Sequence, residues 1–178
     1  GIKTTKKIIL CGAADLNDFY KGFNKFLEAL DRLNRSKYFL CFFGKLDKNM
    51  VDNLGFEYIS YGFLHDNVSL RLVYSCADTF VAPSIMDAFG KTLVESMACG
   101  TPVVSFDATG PKDIITHKKD GYKAKPFDSA DLAVGIEWVC KHENHYKLCN
   151  NARQKATREF DNTVLALEYK KLYKELLS

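Results

Sequence analysis

The sequence predicts an α/β domain built on a doubly wound parallel sheet, and three observations carry that reading. Short apolar runs alternate with longer amphipathic stretches over most of the chain, the order that successive βα units impose. One run, Tyr38–Phe43 (YFLCFF), is apolar without interruption, as a strand covered on both faces must be. Glycine or proline closes several runs, at Gly12, Gly44, Gly62 and Pro83, which gathers the chain reversals at the carboxyl edge of the sheet.

The elements follow in order. Lys7–Cys11 (KIILC) reads as the first strand, ended by Gly12. A helix over about Gly22–Leu33 carries Phe23, Phe26, Leu27 and Leu30 on one stripe. After the Tyr38–Phe43 strand come a short helix near Asp47–Asn53, a strand at Phe56–Ser60 and a helix over about Asn67–Cys76. Asp78–Val81 is the next strand, and the helix that starts near Gly90 ends at Gly100, a residue type suited to the left-handed end of a helix. Val103–Phe106 and Gly121–Ala124 are the last strands, with a short helix at Gly110–Thr116 between them. From Ala130 the chain is helical, with breaks near Glu143–Asn144 and Asp161–Asn162. In such a sheet, ligands sit beyond the carboxyl ends of the strands. The final helix, with Leu165, Leu167, Tyr169, Leu172, Tyr173 and Leu176, is apolar over a wide arc and reads as packing against something beyond this sheet.

Composition narrows the function classes. At 178 residues and 47% hydrophobic content the chain suits one globular domain over residues 1–178, with no repeat or linker. The net charge of +3 comes from scattered lysines rather than a basic run, which speaks against a nucleic-acid partner. No run reaches the roughly 20 apolar residues that span a bilayer, and a peripheral membrane contact is left open. The six cysteines form no C-x-x-C pair and read as reduced, mostly buried thiols of a cytoplasmic protein. Cys140, His142, His145 and Cys149 crowd ten residues, but their spacing suits a polar helical hairpin better than a metal, so no metal site is assigned.

The most informative stretch is Val81–Val104, VAPSIMDAFGKTLVESMACGTPVV. A strand end opens into Pro83-Ser84, an acid (Asp87) precedes Phe89-Gly90, and a helix beginning there holds a second acid, Glu95. A helix amino end offers free N–H groups and a positive dipole end to an anion, and two carboxylates nearby suit a polyhydroxylated ligand. Read blandly, Glu95 pairs with Lys91 one helical turn away and the acids are solvated surface. The whole string resembles the donor-site motif of the retaining family-four glycosyltransferases, P-S-x-x-E-x-F-G-x-x-x-x-E-x-M-A-x-G-x-P-V-V. Pro83, Ser84, Phe89, Gly90, Glu95, Met97, Ala98, Gly100, Pro102, Val103 and Val104 match it, and Asp87 stands where the family has Glu.

That resemblance implies roles. Lys21-Gly22 matches the family's Lys-Gly pair, so Lys21 is expected over the donor diphosphate, although on its own it reads equally as an exposed helix-start lysine. Gly12 matches the family's strand-end glycine, while Ala13 replaces the usual Arg, a cation for which Lys91 is the substitute by position. Glu95 is expected on the ribose hydroxyls and Asp87 on the donor sugar, and with Lys21 these are the expected catalytic residues. The backbone N–H groups of Gly90, Lys91, Thr92 and Leu93 are expected to face the diphosphate, with Phe89 beside them. The base is expected near Phe43-Gly44 and Tyr61–Leu64, so Gly44 and Leu64 join the binding set. Asp107–Ile115 (DATGPKDII) reads either as a turn with a short helix or as a ligand contact, with Asp113 where the family often has Glu. His65 is assigned no chemistry.

The fold implied is Rossmann-like, the second half of a GT-B enzyme. The reaction implied is transfer of a sugar from a nucleotide diphosphate sugar, UDP-linked by family preference, to an acceptor hydroxyl with retention and without a metal or other cofactor. A glycan or lipid-linked acceptor would be held by an N-terminal domain, and the start at Gly1, followed by Lys3-Thr4-Thr5-Lys6, reads as the edge of an excised piece that is inactive alone. Bacterial surface polysaccharide synthesis, in the cytoplasm or at the inner face of the membrane, is the implied setting. A non-catalytic nucleotide-sugar-binding module and a GT-B epimerase fit the same residues.

Overall fold

A computed structural model describes residues 2–177; Gly1, part of the expected excision edge, lies outside them. Six strands form one parallel sheet in the order β3-β2-β1-β4-β5-β6: β1 (Lys7–Asp15), β2 (Tyr38–Lys45), β3 (Glu57–Ser60), β4 (Thr79–Ala82), β5 (Val103–Phe106) and β6 (Gly121–Ala124). The chain winds outward from β1 to β3, returns to β4 beside β1 and winds outward the other way. The two windings diverge at the carboxyl ends of β1 and β4, the topological switch point where doubly wound sheets open a crevice.

The helices are α1 (Phe23–Leu30), α2 (Asn67–Ser75), α3 (Lys91–Ala98), α4 (Pro111–Ile114), α5 (Ser129–Cys140), α6 (His145–Phe160) and α7 (Asn162–Leu176). One face of the sheet buries Ile9, Phe42, Val81 and Val104 against Phe26 and Leu30 of α1 and Leu132 and Ile136 of α5. The other face buries Leu10, Phe43, Phe80 and Val103 against Val73 and Tyr74 of α2, Leu93 and Met97 of α3 and Ala152 and Ala156 of α6. This two-sided cover is what the unbroken apolar run in β2 requires.

Several boundaries differ from the sequence reading, each for a local reason. β1 runs on to Asp15 rather than ending at Cys11, and its register with β2 slips between Gly12 and Asp15. Gly44, at φ 91°, permits this: a β-carbon there would meet the Ala13 carbonyl oxygen at 1.6 Å. α1 stops at Leu30, because Arg32 and Leu33 bond back only three residues, to Ala29 and Leu30. The helix near Asp47 is a single 3-10 turn, Lys48–Met50, with the Asp47 carboxylate capping the Asn49 amide. α5 begins at Ser129, where Asp128 accepts from the Ala130 and Asp131 amides.

Of the cysteines, Cys11, Cys41 and Cys140 are buried and Cys99 and Cys149 partly so, but Cys76, at the end of α2, is exposed. His145 and Cys149 share a face of α6, their Nδ1 and Sγ 3.5 Å apart, while the His145 Nε2 lies 2.9 Å from the Asp78 carbonyl oxygen. Among the described residues no group of three or more His, Cys, Asp or Glu side chains could hold a metal ion. No helix of the described residues is long and apolar enough to cross a membrane. Among its described residues α7 buries no side chain and packs mainly on α6; Leu167, Tyr169, Leu172, Tyr173 and Leu176 are exposed.

Candidate functional site: the cleft between strands β1 and β4

A cleft of about 220 Å³ opens at the switch point, lined by the β1 end (Gly12, Ala13, Ala14), Lys21, the β4 end (Pro83, Ser84), Asp87 and the first residues of α3, Lys91 and Thr92. Glycines bring these segments together. Gly22, at φ 65°, lets the loop after β1 lie directly on the Pro83 carbonyl. The Ile85 and Met86 amides both donate to the Tyr20 carbonyl, at 2.9 and 3.3 Å, and stitch that loop to the segment after β4. A Lys-Gly pair therefore becomes a cation delivered across the crevice.

Lys21 Nζ lies 3.0 Å from Asp87 Oδ2. Asp87 Oδ1 accepts from the Gly90 amide at 2.9 Å and the Phe89 amide at 3.2 Å. Burial pushes the Asp87 carboxyl up, but Lys21 and these two amides outweigh it and hold it below the usual carboxylate range. The segment after β5 buttresses the same loop: the Gly110 amide donates to the Asp87 carbonyl at 3.0 Å, and a β-carbon on Gly110 would meet the Ala88 carbonyl oxygen at 2.5 Å. That segment is thus a support with a short helix, α4, behind it, and Asp113 is exposed on α4.

α3 starts at Gly90, at φ 97°, with no side-chain cap and no acid in its first turn. The Gly90 amide is taken by Asp87 and the Leu93 amide by the Gly90 carbonyl. Of the four amides expected to face an anion, those of Lys91 and Thr92 remain without an acceptor among the described residues, and both residues line the cleft.

Glu95 lies one turn further along α3, outside the cleft lining. Its Oε2 accepts from the Tyr74 hydroxyl at 3.1 Å, and its Oε1 is 3.5 Å from Lys91 Nζ. The bland pairing with Lys91 is therefore present, though Lys91 is largely exposed and contributes little. Tyr74 is the residue sequence reading missed. It is 1% exposed, and burial, reinforced by Glu95, pushes its hydroxyl well up, so it stays a donor aimed at the carboxylate. A tyrosine on the apolar stripe of α2 gave no sign of facing α3.

The residues expected near the base have different surroundings. Phe43 is core: it stacks on Phe80 at 6.2 Å, meets Tyr74 edge-on at 5.5 Å and lies beneath Gly12, whose β-carbon would overlap its ring at 2.2 Å. Gly44 serves the crossing of β1 and β2, its amide bonded to the Gly62 carbonyl. Leu64 and Tyr61 line a separate apolar groove of about 560 Å³ with Ile8, Leu72 and Cys76. Phe89 meets Phe160, at the end of α6, edge-on at 5.9 Å and does not line the cleft.

A parallel α/β sheet whose crevice joins a lysine, an acid and a helix start without a side-chain cap is suited to an anionic ligand. Residues 1–159 match the family described as glycosyl transferases group 1, and the chain belongs to it. It is 29% identical over 177 residues to the N,N'-diacetylbacillosaminyl-diphospho-undecaprenol alpha-1,3-N-acetylgalactosaminyltransferase of Campylobacter jejuni, covering 97% of this chain and 46% of that protein. The sucrose-phosphate synthase of Thermosynechococcus elongatus superposes with a TM-score of 0.85 at 25% identity, over 99% of this chain and 47% of that one. Anabaena HepE, solved with UDP-glucose, superposes with a TM-score of 0.79 at 20% identity, over 96% of this chain and 49% of that one, a likeness of fold. The chain thus spans about half the length of the relatives it matches and has the GT-B type of Rossmann-like fold.

Proposed function

We propose that this chain is the donor-binding half of a retaining glycosyltransferase, holding a nucleotide diphosphate sugar in the cleft between β1 and β4. The observation that carries the reading is the convergence of Lys21 with the unpaired Lys91 and Thr92 amides at the switch point of the sheet. The diphosphate lies over these groups, which meet the charge of the leaving group without a metal. Glu95, held by Tyr74, takes the ribose hydroxyls, and the base lies toward Gly44 and Tyr61–Leu64. A uridine base is favoured by the UDP-glucose held by the HepE neighbour.

The acceptor hydroxyl comes from a glycan or a lipid-linked sugar on an N-terminal domain, against which α7 packs. The diphospho-undecaprenol in the name of the Campylobacter relative supports a lipid-linked acceptor, and with it a role in surface polysaccharide synthesis at the inner face of the membrane. Attack is from the front face with the departing phosphate as base, so neither Asp87 nor Glu95 is a nucleophile. Calorimetric titration of the chain with UDP, GDP and ADP, repeated on Glu95→Ala, tests the reading. UDP binding that the substitution abolishes supports it; failure of all three nucleotides to bind counts against it.

A further inference from the structure

We propose that Asp87 is the chain's own counter-anion for Lys21, so that a diphosphate entering the cleft must displace this carboxylate from the lysine. The inference rests on the donor-phosphate reading of the cleft and adds a part for Asp87 in it. Both carboxylate oxygens are already engaged: Oδ2 with Lys21 Nζ at 3.0 Å, Oδ1 with the Phe89 and Gly90 amides at 3.2 and 2.9 Å. The short aspartate side chain folds back onto amides two and three residues ahead, a reach typical of Asp and Asn. Held so, Asp87 serves Lys21 and the loop before any ligand enters.

The charge balance of the cleft follows. Its lining carries two cations, Lys21 and Lys91, and one anion, Asp87. Lys91 is further shared with Glu95, and the nearby Asp15 pairs with Lys45 at 3.1 Å. With Asp87 on Lys21, most of the lysine's charge is cancelled before a ligand arrives. A ligand must bring enough negative charge to compete, which favours a diphosphate over a neutral sugar and makes Asp87 a specificity-determining residue. Placement of Lys21 depends less on Asp87, because Gly22 and the Tyr20 carbonyl bonds fix its backbone.

Two variants remove the charge and keep an acceptor for the loop amides: Asp87→Asn and Asp87→Ser. Taking one like charge away from a partly solvated phosphate site is worth roughly three- to tenfold in affinity. Calorimetric titration with UDP and with inorganic pyrophosphate is expected to show both variants binding both probes more tightly than the parent chain by that factor. A gain of affinity is an outcome that a damaged loop does not produce. Unchanged or weaker binding of both probes by both variants overturns the proposal while parental UDP binding keeps the cleft's reading intact. Absence of UDP binding in all three chains overturns both.

Discussion

A β-carbon placed on Gly22 would stand 2.0 Å from the carbonyl oxygen of Pro83. The loop after β1 and the segment after β4 therefore meet only because residue 22 has no side chain, and Lys21 reaches Asp87 as a consequence. Gly22→Ala would combine this clash with a φ of 65° that disfavours alanine. The expected cost is about 1–3 kcal/mol by urea denaturation, with a parallel loss of nucleotide affinity.

Tyr74→Phe keeps the ring packed against Phe43 and Phe80 and deletes one hydroxyl. Stability should fall by about 0.5–1.5 kcal/mol, the net value of one hydrogen bond, although Glu95 retains some solvent. Nucleotide affinity should fall more than the stability change explains, because Glu95 loses the group that orients it; titration of folded Tyr74→Phe with UDP checks this.

A pH dependence should come from His117. Burial first, then Lys118 and Lys123, lowers its pKa, and its Nδ1 accepts from the Lys123 amide at 3.1 Å, which requires the neutral ring. The folded pKa lies below the unfolded one, so the unfolded chain binds the extra proton first. This contribution to stability is present above about pH 6.5 and is lost as pH falls through the folded value. Denaturation midpoints between pH 7.5 and pH 5 should decline less steeply in His117→Asn than in the parent chain.

Deleting residues 162–177 should leave the sheet intact, because α7 buries none of its side chains. The thermal midpoint should shift by less than about 2 °C, and solubility should rise with the loss of Leu167, Tyr169, Leu172 and Tyr173 from the surface.

Much of the fold was legible because punctuation and periodicity are local. The apolar runs, Gly100 and the Asp161 break each mark an element end through their own backbone chemistry. The motif and Lys21-Gly22 likewise announced the crevice. Long-range facing was not legible. An unbroken run such as YFLCFF states that both faces are covered, but not that Phe43 lies beneath Gly12. Nothing local shows that Tyr74 on α2 points at Glu95 on α3, since that depends on the relative placement of two helices. Nor does the motif show that Asp87 meets Lys21, a contact that spans 66 positions of sequence.

Amide NMR of the uniformly 15N-labelled chain titrated with UDP reads occupancy of the cleft residue by residue. A diphosphate held in the cleft should shift the Lys91 and Thr92 amides most, together with Gly12 and Ala13 at the β1 end, along one binding curve. Saturable shifts confined to the groove beside Tyr61 and Cys76, or no shifts at all, would contradict that placement.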